Sequence, residues 1–79
     1  MNDILWNKIT VTEFRSLACL SEEESIVLDD WAYGRSIVST AMKFHGSTRQ
    51  VDRIRDRIRK KYDDVQIYTP ILQKRNIVN

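Results

Sequence analysis

Between Arg49 and Lys61 the chain carries seven cationic side chains: Arg49, Arg53, Arg55, Arg57, Arg59, Lys60 and Lys61. A guanidinium presents two parallel donors to a phosphate or to the O6/N7 edge of guanine, and an ammonium is a compact charge for a phosphate. Such a run suits a polyanion, nucleic acid above all, although a solvated helix face has the same composition. The rest of the chain has the opposite sign. Residues 1–46 hold four basic side chains (Lys8, Arg15, Arg35, Lys43) against seven acidic ones, whereas residues 47–79 hold nine basic against four acidic. The modest net charge of +2 conceals this division.

Other chemistries find little support. Glu22, Glu23 and Glu24 resemble a catalytic carboxylate cluster, but a helix N-terminus has a use for all three. His45 has no evident orienting partner and reads as a turn residue. No glycine-rich phosphate loop or nucleophile motif is present, so the expectation is a non-enzyme without a cofactor. Cys19 and His45 are the sole residues of their types. They allow neither an internal disulfide nor the roughly four-ligand set of a structural zinc site. Cys19, between Leu17-Ala18 and Leu20, reads as a small buried hydrophobe, and a lone thiol suits a reducing, cytoplasmic setting. Met1-Asn2-Asp3 lacks the basic start of a signal peptide. The longest uncharged stretch, Val65 to Gln73, is far short of the ~20 residues that span a bilayer, so no membrane partner is expected.

The elements that must position the cations follow from composition and periodicity. With 79 residues, 42% hydrophobic and 30% charged, and with two glycines and one proline, the chain reads as one all-α domain. A first helix is expected over 10–19, with Thr10 and Glu13 as a capping box and Val11, Phe14, Leu17 and Ala18 on one face. Ile4, Leu5, Trp6 and Ile9 would form a lead-in strap. The second helix, 22–33, has the strongest start: Ser21 caps it, Glu24 reaches back, and Gly34 ends it in the left-handed conformation. Its stripe is Val27, Leu28, Trp31 and Ala32. A short third helix spans 36–44, capped by Ser36, with Ile37, Val38, Ala41, Met42 and Phe44 facing the core. A fourth, 48–62, is capped by Ser47 and has the stripe Val51, Ile54, Ile58, Tyr62. Projection at about 100° per residue sets Arg49, Arg53 and Lys60 opposite that stripe with Arg57 at its edge. Asp52 and Asp56 interrupt the basic face and are expected either to pair with neighbouring cations such as Arg55, Arg57 or Lys60 or to accept from a cytosine amino group. The tail, 63–79, reads as extended around Pro70, with apolar anchors Ile67, Tyr68, Ile71 and Leu72.

A short helix, a tight turn at His45-Gly46 and a longer basic helix form the layout of a helix-turn-helix. Ala41 would be small because the two helices cross closely there, and the turn would require a positive φ. In this layout Thr48, Arg49, Gln50, Asp52 and Arg53 read base edges in the major groove. Ser36, Lys43, Ser47, Arg57 and Lys60 hold phosphates.

The residues Leu20-Ser21, Glu24, Val27-Leu28, Gly34, Ser36, Ala41, Phe44, Ser47, Val51 and Ile54 resemble the LuxR-type DNA-binding domain. They also resemble its relative, region four of bacterial sigma factors. The likeness runs without gaps from Leu20 to Tyr62. Where that family commonly has glycine, this chain has His45 followed by Gly46, and Thr40 replaces a branched aliphatic residue. The resemblance implies a tri- or tetrahelical domain with 48–62 as recognition helix, contained in a small stand-alone bacterial or phage transcriptional regulator that binds double-stranded DNA. The alternative is an adaptor of the sigma region-four type docking on RNA polymerase or another protein. LuxR-type domains continue into a dimerisation helix. Here a Pro-containing tail follows and the extra helix lies upstream, so a homodimer is not implied by the family. Four apolar tail residues nevertheless require cover, either by folding back or by a second copy.

Overall fold

The computed structural model describes residues 4–75. Met1-Asn2-Asp3 and the last four tail residues lie outside them. The described chain is all-helical: α1 (Lys8–Leu17), α2 (Glu22–Tyr33), α3 (Ile37–Lys43), α4 (Thr48–Val65) and a short 3-10 helix (Gln66–Tyr68), with no strand among the described residues. None of these helices is long and apolar enough to cross a membrane.

The first helix starts earlier than its sequence suggests. Asn7, not Thr10, is the cap: its side chain accepts from the Thr10 amide at 2.9 Å. Thr10 is then an interior residue, buried one turn from Phe14. After Leu17 the chain turns extended at Ala18, with ψ 140°. That early exit leaves Leu17 at 42% exposure and places Cys19 in the connector, exposed rather than buried.

The second helix forms as its sequence dictates. Ser21 accepts from the Glu24 amide at 3.1 Å, while the Glu24 carboxylate accepts from the Ser21 amide at 3.0 Å. Gly34 closes it at φ +92°, a conformation that a Cβ would strain. Ser36 caps α3 by accepting from the Ser39 amide.

The core lies where α4 packs against α2 and α3, with α1 touching its far end. Val51, Ile54, Ile58 and Tyr62 line α4 at 0–1% exposure and meet Phe14, Val27, Leu28 and Ala41. Burying such side chains, at about 1.5–3 kcal/mol each, is the main force holding so small a domain together. Trp6 does more than strap. Its ring contacts Phe14 (5.4 Å between centroids), Trp31 (5.6 Å) and Tyr62 (5.7 Å), joining α1, α2 and α4. Trp31 and Phe44 pack on the core from its edge, half-buried. Val38 and Met42, expected inside, point outward at 60% and 72% exposure. With seven residues α3 has one inward strip, and Thr40 and Ala41 occupy it.

The tail is also more structured than expected. Helix α4 runs three residues past Tyr62 before the 3-10 helix begins. Of the four apolar anchors only Leu72 is buried, whereas Ile67, Tyr68 and Ile71 are exposed. Polar groups bind the tail instead. The Gln66 side chain accepts from the Arg75 amide at 2.8 Å and donates to the Arg75 carbonyl at 3.2 Å. Tyr62 Oη donates to the Gln73 carbonyl at 2.6 Å.

Candidate nucleic-acid interface

The turn between α3 and α4 comprises Phe44, His45, Gly46 and Ser47. Its left-handed residue is His45, at φ 51°, and Gly46 does not have a positive φ. Histidine is among the side chains that tolerate this region, at some cost. The glycine serves another purpose: a Cβ at Gly46 would lie 2.1 Å from Gln50 Oε1. Its absence lets the Gln50 side chain fold back over the turn. Ser47 caps α4, accepting from the Gln50 amide at 3.3 Å.

From this cap α4 displays Thr48, Arg49, Gln50, Asp52 and Arg53, all exposed. The cations of the basic run then separate into two sets. Arg55, Arg57, Arg59 and Lys61 are engaged with the domain itself. The Arg55 and Arg59 guanidiniums stack on the Trp31 ring at 4.7 and 4.8 Å from its centroid. Arg57 meets Glu23 at 2.9 Å and Glu24 at 3.7 Å. Lys61 Nζ reaches Glu24 Oε1 and the Cys19 carbonyl, both at 2.6 Å. Arg49, Arg53 and Lys60, on the outer face, take part in no ion pair or hydrogen bond among the described residues.

Two expected phosphate-binding residues are thus otherwise occupied. Besides Arg57, Lys43 is held by Asp30 at 2.6 Å. Of the two carboxylates that interrupt the basic face, Asp56 bonds the neighbouring Arg59 at 2.7 Å, and Asp52 forms no ion pair among the described residues. Ser36 and Ser47 both sit at helix starts as expected, each with its hydroxyl oxygen already accepting a backbone amide.

Sequence reasoning missed Asp30 altogether and assigned Glu24 to the helix cap alone. Asp30, with its side chain 5% exposed, accepts from Thr40 Oγ1 at 3.0 Å as well as from Lys43, and Arg35 lies 3.8 Å away. The Thr40 hydroxyl thus supplies a donor that the buried Asp30 carboxylate needs. Burial pushes the Asp30 carboxyl upward, but Lys43, Thr40 and Arg35 together outweigh it and hold it below the ordinary carboxylate value. Glu24 behaves alike. Burial raises it, while Lys61, the Ser21 amide and Arg57 bring it below its usual value. The signal available in the sequence was spacing: Asp30 recurs two turns after Glu23 on a helix otherwise explained by its cap.

Among the described residues no cluster of three or more His, Cys, Asp or Glu side chains could hold a metal ion. No protein-family model matches the chain, and no curated protein or solved structure is significantly similar to it.

Proposed function

We propose that this domain binds double-stranded DNA and reads the major groove with the first half of α4, as a small transcriptional regulator. One observation carries the reading: Arg49, Arg53 and Lys60 are held in the open on the outer face of a rigid helix, while neighbouring cations are neutralised internally. The cap-turn-helix arrangement and the resemblance to LuxR-type and sigma region-four domains support the same conclusion. Arg49, Gln50 and Arg53, with Thr48 and Asp52, face base edges, while Lys60, further along, meets a phosphate.

The experiment is a mobility shift on random duplex DNA at increasing salt, followed by selection of bound sequences from a random pool. With three cations at phosphates or bases, log affinity should fall against log salt with a slope of about −3. Binding that is absent at low salt overturns the proposal. The second reading, docking on a protein such as RNA polymerase, draws on Val38 and Met42, two exposed apolar residues one turn apart on α3. Under it, replacing these two abolishes function while DNA affinity stays unchanged.

A further inference from the structure

On the side of the domain formed by α1 and the tail, Ile9 and Ile71 line a shallow groove of about 350 Å³ together with Lys8, Thr12 and Glu13. Ile9 is 70% exposed and Ile71 52%. Leu5, Ile67 and Tyr68, on the adjoining segments, are at least 65% exposed. Ile9 and Ile71 thus leave an apolar strip of the groove open to water. The charges at its edges are also unused: neither Lys8 nor Glu13 joins an ion pair among the described residues.

The arrangement is complementary to itself. At about 100° and 1.5 Å per residue, Lys8 and Glu13 occupy opposite corners of one face of α1, and Ile9 and Thr12 the other two. A two-fold axis along the Ile9–Thr12 diagonal lays Ile9 on its own equivalent. The same operation brings each Lys8 against the Glu13 of the other copy, the helices crossing steeply. We infer that this face is a homodimer interface, closed by two symmetric Lys8–Glu13 ion pairs around an apolar centre of Ile9 and Ile71. Such an isologous contact needs only one patch that fits itself. It lies on α1 and the tail and does not depend on what α4 binds.

Sedimentation velocity across the micromolar and millimolar range tests it. The wild-type chain should form dimers that dissociate on dilution. K8E or E13K alone places like charges together twice and should weaken the dimer about tenfold. An equimolar mixture of the two single variants, or the K8E/E13K double variant, restores opposite charges and should recover the wild-type dimer. Circular dichroism checks that each variant is folded, Lys8 being exposed and Glu13 half-buried. A wild-type chain that stays monomeric to millimolar concentration overturns the inference. So do single variants that dimerise like wild type, or a double variant that does not recover.

Discussion

The two sides of α4 use the same residue types to opposite ends. On the inner side, Arg55 and Arg59 stack on Trp31 along one edge of the core stripe, and Arg57 and Lys61 close on Glu23 and Glu24 along the other. On the outer face, Arg49, Arg53 and Lys60 have no such partners among the described residues. The inner side therefore adds to the stability of the domain, and the outer face leaves charge available to whatever meets it. Charge runs in short helical proteins cannot be assigned a role as a block, because one residue along the helix changes which element a side chain faces by about 100°.

The largest effect should come from removing the outer set. With Arg49, Arg53 and Lys60 all changed to Ala, DNA affinity should fall by about 3 kcal/mol or more, and stability in urea should shift by less than about 0.5 kcal/mol. Comparable loss from R57A or R55A instead would erase the distinction between the two sides. Next in size, Glu24→Ala should lower stability by about 2 kcal/mol, since it removes the cap partner of Ser21 and the anchor of Lys61 together. The same change should leave the intrinsic DNA affinity of the folded protein intact.

Acid offers a milder version of that change. Glu24 and Asp30 are both held below their ordinary values of 4.5 and 3.8. A carboxyl depressed in the folded state contributes stability that is full above its unfolded value and disappears as pH falls through its folded one. Urea midpoints should therefore be flat from pH 7 to about pH 5 and decline below about pH 4, and Glu24→Gln should flatten part of that decline. The smallest expected effect concerns the turn. His45→Gly relieves the left-handed strain at φ 51° and should raise stability by about 0.5 kcal/mol, measured by thermal unfolding. Gly46→Ala should instead displace the Gln50 side chain and alter preference at a single base pair with little change in stability.

Much of this fold was legible in the sequence where local rules act alone. The Ser21–Glu24 box, the Gly34 stop and the Val51, Ile54, Ile58, Tyr62 stripe each follow from backbone hydrogen bonding or helical period, and each appears as expected. What escaped depends on contacts between distant segments. Cys19 sits among apolar neighbours in sequence yet lies in a connector whose carbonyl serves Lys61, forty-two residues away. Trp6 precedes every helix, so no periodicity marks it as the centre of the aromatic cluster. Residue type likewise identified Lys43 and Arg57 as cations but could not reveal that Asp30 and Glu23 claim them. The three outer cations, by contrast, were legible from projection alone, because a face opposite the core has few neighbours to claim its charges.

The pairing of Gln66 with Arg75 has a consequence for amide hydrogen exchange. A side-chain amide there does what a neighbouring strand's backbone would do, accepting from one N–H and donating to the carbonyl of the same residue. The Arg75 amide lies outside every helix and would ordinarily exchange with solvent as fast as a free chain end. Held by Gln66, which is 2% exposed, it should open only when the end of α4 itself loosens. Its exchange rate thus becomes a local clock for the junction between the helical body and the tail, independent of any signal from the core.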